Sequence, residues 1–297
     1  MTWQVTLPCT RAEGERIEQG AELFADGEAP VLVATEETAE RWRLDAYFER
    51  KPDGQVLDAL LTLAPSAAGT RLKPELVAEQ DWVTLSQAGL EPIRAGRFFV
   101  HTPAHRGAAP AGAVAIEVDA GRAFGTGHHE TTTGCLVALD ALKRQGFVAR
   151  NLIDVGTGTG LLAFAAMKLW PQARATASDI DPVSVAVTRE NAAINAVALG
   201  AAPGRLVTVT APGIDHPRLR QRGPYDLIIA NILAGPLIAL APTLAPALVP
   251  GGRLMLAGLL QTHAERVARA YRREGLRPSF SVQRGEWPTL VLRRPRS

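Results

Sequence analysis

The chain has 297 residues, of which 46% are hydrophobic and 21% carry charge. These values are typical of a globular protein with room for a sizeable core in one large or two modest domains. The first ten residues lack a basic start followed by an apolar run, and three prolines interrupt the most apolar stretch, residues 227–249. The sequence therefore predicts a cytoplasmic protein with no signal peptide and no membrane contact.

Charge is distributed unevenly along the chain, although the formal net charge is only +2. Residues 1–80 contain 8 Lys and Arg against 15 Asp and Glu, a net of −7, whereas residues 81–297 contain 24 against 15, a net of +9. An acidic module attracts basic partners and repels nucleic-acid phosphate. The alternative is that these charges only keep a small domain in solution.

Six short elements are predicted in residues 1–80, in the order βαββαβ. Thr10 is placed to cap the first helix, with Glu13 three residues later as in a capping box. The order is that of the split β-α-β, or ferredoxin-like, pattern. The predicted strands are Trp3–Leu7, Pro30–Thr35, Arg41–Phe48 and Arg71–Val77, and the predicted helices are Arg11–Leu23 and Val56–Leu63.

Residues 81–120 are irregular, with one predicted strand at Arg97–His101, and we expect them to form a linker that leads into a second domain. From Asn151 onwards strands and helices alternate regularly, which predicts a mostly parallel, Rossmann-like sheet covered on both faces and completed by an antiparallel hairpin. The predicted strands are Asn151–Val155, Arg174–Ser178, Arg205–Thr210, Tyr225–Ala230, Arg253–Ala257, Ser279–Gln283 and Thr289–Leu292. The predicted helices are Cys135–Leu142, Leu161–Leu169, Pro182–Asn195, Pro236–Leu248 and Thr262–Glu274.

A glycine-rich turn, Asp154-Val-Gly-Thr-Gly-Thr-Gly160, follows the first of these strands and opens a helix. Ligands of such sheets bind at the carboxyl ends of the strands, and glycine lets them approach the backbone. The dinucleotide fingerprint is G-x-G-x-x-G; here the third glycine comes one residue early, and Asp154 precedes Gly156 by two positions. This spacing resembles motif I of class I methyltransferases, in which a carboxylate near the amino end of S-adenosylmethionine is more useful than a diphosphate site. A purely structural turn is the alternative.

Two further polar positions fall at strand ends. Asp179 lies 23 residues after Gly156, a distance at which an acidic residue accepts hydrogen bonds from ribose hydroxyls, whereas Asp181 is placed to cap the helix at Pro182. Asn231 lies at the end of the fourth strand, and in this fold that end faces the transferable methyl group. The alternative is that Asn231 serves only as a turn residue. Amide methyltransferases often carry Asn/Asp-Pro-Pro-Tyr at this point, and this chain keeps the Asn without the Pro-Pro-aromatic part.

A second glycine-rich stretch, residues 121–132, leads into the helix at Cys135, and its Thr131 and Thr132 could cap that helix or bond the cofactor carboxylate. His128 and His129 are adjacent, so their side chains diverge and no metal site is predicted. The only cysteines, Cys9 and Cys135, have neither metal nor disulfide spacing.

The chain resembles the ribosomal protein L-eleven methyltransferase family (PrmA) over the whole catalytic region and in its domain order. The matching stretches are G-R-A-F-G-T-G-H-H-E-T-T (121–132), D-V-G-T-G-T-G (154–160), D-I-D-P (179–182) and N-I-L-A-G-P-L (231–237). The resemblance implies a ferredoxin-like domain, residues 1–80, that holds the substrate, a linker over 81–120, and a class I methyltransferase domain over 121–297. It also implies methylation of lysine and N-terminal amines on a basic protein of the large ribosomal subunit.

By the same resemblance the cofactor, S-adenosylmethionine, contacts Thr132, Gly156, Asp179 and Asn231; from the motif pattern we add Thr131, Asp154 and Gly158. Asn231 is the one predicted catalytic residue. We expect transient ribosome contact at most and no sequence-specific nucleic-acid binding. The chain departs from the family at two places. Ser86 stands where the family's D-W-x-x-x-W has its second tryptophan, after Asp81-Trp82, and the family's P-S-W-like turn is replaced near Thr102–His105. These departures concern the inter-domain surface rather than the chemistry.

Other functions remain open at this point. A class I methyltransferase acting on another protein, RNA or a small molecule would share motif I, although the acidic first domain argues against RNA. A nicotinamide oxidoreductase would need the longer glycine spacing. A non-enzymatic ribosome-binding module would tolerate a damaged cofactor motif, and the motif is intact.

Overall fold

The computed structural model describes residues 2–14, 30–38, 41–48, 50–77, 92–118 and 129–296. Its internal contacts divide the chain into two compact units, Met1–Ser86 and Gln87–Ser297. Among the described residues, no helix is both long and apolar enough to cross a membrane.

The first unit is a four-stranded sheet with strand order β2-β3-β1-β4, in which all neighbours are antiparallel. This order confirms the predicted split β-α-β topology. Its apolar core is formed by inward-facing residues of β1 and β3 with Leu60 of the second helix. The elements are β1 (Thr2–Cys9), α1 (Arg11–Gly14), β2 (Val31–Thr38), β3 (Arg41–Phe48), α2 (Gly54–Leu63), a 3-10 turn (Pro65–Ala67) and β4 (Glu75–Val77).

The predicted capping box at α1 is present. The Thr10 backbone N–H donates to Glu13 Oε2 at 2.7 Å, and the Glu13 N–H donates to Thr10 Oγ1 at 3.3 Å. The Ser66 N–H also donates to the same carboxylate, at 2.9 Å. Burial opposes ionisation of Glu13, but the hydrogen bonds from Ser66 and Thr10 outweigh it and lower its pKa to about 2. The remainder of the predicted helix, residues 15–23, lies outside the described residues.

The second unit contains a seven-stranded sheet of order β10-β9-β8-β11-β12-β14-β13. Strand β14 alone runs in the direction opposite to the other six strands, so the sheet is mostly parallel, as predicted. Its strands are β8 (Asn151–Val155), β9 (Arg174–Asp179), β10 (Leu206–Thr210), β11 (Tyr225–Asn231), β12 (Leu248–Ala257), β13 (Arg277–Arg284) and β14 (Trp287–Arg293). Its helices are α3 (His129–Arg144), α4 (Leu161–Leu169), α5 (Pro182–Ile194), α6 (Pro217–Arg222), α7 (Ala234–Leu244) and α8 (Gln261–Arg273).

Two cores cover the two faces of this sheet, because successive residues of a strand point to opposite sides. Leu152 of β8 packs into the core that contains α3 and α4, and Ile153 into the core that contains α7 and α8. Strands buried on both faces read as continuous apolar runs, which is why their positions were predictable.

Residues 92–118 form a small sheet of their own within the second unit. Its strands are β5 (Ile93–Ala95), β6 (Phe98–His101) and β7 (Val114–Glu117), in the order β5-β6-β7. Ile93, Phe98 and Ile116 are buried in the same core as α3. This part of the expected linker is therefore an integral layer of the second unit. Of its three strands, only β6 was predicted from the sequence.

Candidate cofactor-binding and active site

The glycine-rich turn after β8 is fixed against the end of β9. The backbone N–H groups of Gly156 and Thr157 donate to Ser178 O at 2.8 and 3.0 Å. Gly156 has a φ of +71°, and a Cβ added there would lie 2.2 Å from Ile232 Cγ2. Glycine is required at this position both for its backbone conformation and for the close approach of the chain after β11.

Two polar side chains of α5 hold the same turn from the other side. Thr188 Oγ1 donates to Gly158 O at 2.9 Å, and Asn191 Nδ2 donates to Thr159 O at 3.0 Å. Both side chains are fully buried. Sequence reasoning missed them, although two polar residues three positions apart on a helix share one face and are a usable signal.

Asp154 lies beneath this turn and is 1% exposed. Its Oδ2 accepts hydrogen bonds from Thr157 Oγ1 at 2.8 Å and from the Ala163 N–H at 3.2 Å. Its Oδ1 is buried and has no partner within the described part of the chain. Burial raises the pKa of the carboxyl to about 7, even though both hydrogen bonds act to lower it. A buried acceptor without a donor is a place where a ligand donor fits.

Asp179 ends β9 directly beside the turn. Its Oδ2 accepts from the Gly158 N–H at 2.9 Å, and its Oδ1 accepts from the Asp181 N–H at 3.1 Å. Each carboxylate oxygen has further lone pairs, so the side chain is oriented and can still accept from a ligand. Asp181 instead accepts from the N–H groups of Val183 and Ser184 at 2.9 and 3.2 Å, which confirms it as the cap of α5.

Asn231 is the last residue of β11 and pairs with Ala257 of β12. The next residue is also fixed, since the Ile232 N–H donates to Ala257 O at 3.2 Å. Gly258 has a φ of +80°, and a Cβ there would lie 2.6 Å from Ile232 O. The Asn231 side chain is half-buried and forms no hydrogen bond with the described residues. A rigid strand end thus presents an amide whose donor and acceptor groups have no partner among the described residues.

Thr131 and Thr132 lie in the first turn of α3, which begins at His129, six residues before the predicted start. Thr131 is 4% exposed and Thr132 is half-buried. One turn further on the same face, Cys135 is completely buried, and its pKa is raised first by burial and then by the charge of Asp154. The face of α3 that carries Thr131 and Cys135 is therefore within range of the Asp154 charge. The predicted glycine-rich loop itself, residues 121–128, lies outside the described residues.

The structure thus brings five of the predicted positions, Asp154, Gly156, Gly158, Asp179 and Asn231, to the carboxyl ends of β8, β9 and β11, whereas Thr131 and Thr132 lie in the first turn of α3. The described residues contain no group of three or more His, Cys, Asp and Glu side chains that could hold a metal ion. His128 lies outside them.

Strand order and the acidic strand ends together define a class of enzyme. A seven-stranded sheet with one antiparallel strand, carrying a glycine-rich turn and an acidic residue at the ends of its first two strands, is the class I methyltransferase fold. The predicted fold class is confirmed.

Comparison with known proteins then identifies the family. The family model described as ribosomal protein L11 methyltransferase (PrmA) matches residues 3–295. Proteins named ribosomal protein L11 methyltransferase from Rhizobium leguminosarum bv. trifolii (strain WSM2304) and Caulobacter sp. (strain K31) are 44% and 39% identical over 276 and 295 residues, covering 91% and 98% of this chain and the same shares of theirs. The crystal structure of ribosomal protein L11 methylase from Lactobacillus delbrueckii subsp. bulgaricus matches with a TM-score of 0.59 at 26% identity, over 69% of this chain and 100% of that chain.

The chain belongs to the ribosomal protein L11 methyltransferase family and is an S-adenosylmethionine-dependent methyltransferase. The resemblance drawn from its motifs is confirmed.

Proposed function

We propose that this chain methylates amino groups of ribosomal protein L11, and that the reaction takes place at the carboxyl ends of β8, β9 and β11. The single observation that best supports this location is the buried Asp154 carboxylate, whose Oδ1 has no partner among the described residues. A cationic amine placed there would supply the missing donor and stabilise the ionised carboxylate.

The residues at this edge fit S-adenosylmethionine. Asp154 would hold its amino end, and Asp179 would accept hydrogen bonds from its ribose hydroxyls. Gly158 has no side chain and so keeps the backbone open to the ligand, whereas Gly156 allows the close approach of Ile232 behind the turn. Thr131 and Thr132 lie in the first turn of α3, where the partial positive charge of the helix N-terminus favours an anion, and would face the cofactor carboxylate.

Asn231 is the residue we assign to the reacting amine. When bound, S-adenosylmethionine supplies a methyl group activated by its sulfonium. The accepting amine must be neutral, and for a lysine of pKa about 10.4 at pH 7 deprotonation costs about 4.6 kcal/mol. Desolvation beside the cationic sulfonium would lower that cost, because both disfavour a second positive charge. The Asn231 side-chain oxygen can then orient the N–H groups of the neutral amine, a positioning effect that needs no dedicated general base.

The first unit is the proposed substrate module, corresponding to residues 1–80 of the sequence analysis. Residues 1–80 carry a net charge of −7, which complements a basic ribosomal protein. Exposed Asp58 and Glu75 belong to this acidic surface. On this proposal the enzyme acts in the cytoplasm, contacts the ribosome transiently and does not bind nucleic acid sequence-specifically. Residues 92–118 are then part of the catalytic unit rather than a free linker.

The test is incubation of the full chain with labelled S-adenosylmethionine and purified L11, followed by peptide mass spectrometry. We expect label on lysine or N-terminal amines of L11, and an initial rate of labelling about hundredfold lower when Asn231→Ala replaces the wild type at the same concentration. Label that appears only on carboxylates, on RNA or on other ribosomal proteins would refute the assignment.

A further inference from the structure

Arginine side chains form a line across the edge of the seven-stranded sheet that lies opposite the proposed cofactor site, where the parallel strands begin. Arg253 of β12 pairs directly with Arg293 of β14, and Arg293 pairs directly with Arg277 of β13. Directly paired residues project from the same face of a sheet, with Cβ atoms about 5 Å apart. We call these three residues the arginine row.

No acidic side chain of the described residues pairs with the positive charges of the arginine row. Within the described part of the chain, none of its three members forms a salt bridge. Like charges at directly opposed positions destabilise a sheet, so this arrangement costs stability unless an anion is bound. Arg277 and Arg293 are exposed and free to meet one.

Arg253, the inner member, carries an unused donor. Its guanidinium lies over the ring of Phe147 at 5.5 Å, and its Nη1 donates to Gly251 O at 2.6 Å. Its Nε is buried and has no partner among the described residues. Burial lowers the pKa of Arg253, and the positive charges of Arg293 and Arg296 lower it further. The guanidinium groups of these three residues therefore repel one another.

A polar cavity of about 420 Å³ adjoins the row. Arg150, Arg253 and Arg296 line it together with Phe147. The one acidic residue in its lining, Asp226, is already engaged, since its Oδ2 accepts from the N–H groups of Arg150 and Asn151 at 2.9 and 2.7 Å. Arg150 directly precedes β8 and Asp154 lies near the end of that strand, so the cavity is separate from the methyltransferase site.

We propose that the arginine row and the adjoining cavity bind the phosphodiester backbone of RNA without reading its sequence. The cationic side chains concerned are all arginine, whose planar fork matches phosphate in two parallel hydrogen bonds. Strands lie about 4.8 Å apart, so the row presents donors along roughly 10 Å, a track suited to successive phosphates rather than to one carboxylate. The choice of RNA over another polyanion rests on the proposed function, because a ribosomal substrate is found beside RNA.

The test measures binding of a fluorescent single-stranded RNA of about ten nucleotides to the full chain over a series of salt concentrations. The variant R277Q/R293Q removes two exposed charges from the row. We expect its affinity for RNA at low salt to fall by about tenfold or more. The slope of log K against log salt should become shallower by about 1.4, since each phosphate contact contributes about 0.7 for single strands. R296Q should reduce the slope by about half as much.

A matched control is R266Q/R284Q, which removes two exposed arginines elsewhere on the same unit. It should leave most of the affinity and the slope unchanged. The melting temperature of R277Q/R293Q should equal or exceed that of the wild type, because repulsion is relieved, and its methylation of free L11 should be unaltered.

Three results would overturn the RNA assignment. Equal losses in the row variant and the control would mean that only net charge matters. Displacement of the RNA by inorganic phosphate at comparable concentrations would indicate a free phosphate site, and equal displacement by polyglutamate would indicate an acidic protein partner. None of these outcomes bears on methylation, so failure here and failure of the proposed function are distinguishable.

Discussion

The two edges of the seven-stranded sheet carry opposite chemistry. At the carboxyl ends of the parallel strands lie two carboxylates and an amide, Asp154, Asp179 and Asn231, around a glycine-rich turn. At the opposite edge lie the arginine row and Arg150. Each edge has buried polar atoms without a partner among the described residues, Asp154 Oδ1 and Ser178 Oγ at the first, and Arg253 Nε and Asn151 Oδ1 at the second.

The difference teaches where to look for ligands in this fold. Buried polar groups without partners cost stability, so each such group marks a place where binding can recover that cost. Asp154 at the carboxyl edge lacks a hydrogen-bond donor, and Arg253 at the opposite edge lacks an acceptor. The first therefore suits a ligand with ammonium and hydroxyl groups, and the second suits an anion.

The largest expected effect is on turnover at the carboxyl edge. Asn231→Ala removes the amide at the end of β11, and we expect kcat to fall about hundredfold, the scale of a misplaced reacting group. The affinity for S-adenosylhomocysteine, measured by calorimetry, should change much less, which separates positioning of the amine from cofactor binding. Wild-type kcat in a folded Asn231→Ala protein would reduce Asn231 to a turn residue.

The next effect concerns the glycine-rich turn. Gly156→Ala adds a Cβ at positive φ and 2.2 Å from Ile232 Cγ2, so strain and overlap together should weaken S-adenosylhomocysteine binding by roughly 2–4 kcal/mol. Gly275→Ala is a matched control, because Gly275 also has a positive φ, +82°, but its added Cβ meets nothing within 4 Å. The control should lower the melting temperature slightly and keep full affinity. Equal affinity losses in both variants would contradict a specific role for the turn.

A smaller effect follows from the pKa of Asp154, which burial raises to about 7. Because this folded-state pKa lies above the unfolded value, the unliganded fold loses stability as pH rises through about 7, whereas binding of an ammonium group favours the ionised form. The affinity for S-adenosylhomocysteine should therefore rise about tenfold between pH 6 and 8 and then level off. Asp154→Asn should abolish this rise, and Asp226→Asn should retain it. A pH profile that is the same in Asp154→Asn and the wild type would remove Asp154 from the cofactor site.

The smallest effect concerns the acidic first unit, which extends the charge comparison beyond the sheet. The variant D58N/E75Q should lower kcat/KM for L11 by a few-fold at low salt, with no change in cofactor affinity, because complementary charge mainly accelerates encounter. The loss should shrink as salt rises. E190Q/E274Q, which neutralises two exposed acidic residues of the catalytic unit, is the control. Identical kinetics for D58N/E75Q and the wild type at low salt would contradict recruitment through this surface.

Local signals made the carboxyl edge predictable. The bounds of α4, Leu161–Leu169, follow from the sequence because Gly160 stops the turn and the helix is apolar almost throughout. Asp181 followed by Pro182 likewise marks the start of α5. Glycines, caps and strand ends lie within a few residues of one another, so the main cofactor positions could be proposed before the structure.

Long-range register made the opposite edge unpredictable. Arg253, Arg277 and Arg293 are far apart in sequence, and only the pairing of β12, β14 and β13 aligns them. Strands as short as β5 and β7 give too few residues for a pattern, and the six-residue α6 was missed for the same reason. The start of β12 at Leu248 was also missed, since Pro250-Gly251-Gly252 suggests a turn.

Asp179 gives the most direct test of the claim that the cofactor binds at the carboxyl edge and not at the arginine edge. Calorimetric titration of S-adenosylhomocysteine should show that Asp179→Ala weakens binding by about 1.5–3 kcal/mol, the range for hydrogen bonds to a charged group. Asp226→Ala, at the opposite edge, should bind like the wild type. Unchanged affinity in a folded Asp179→Ala protein, or an equal loss in Asp226→Ala, would contradict the account.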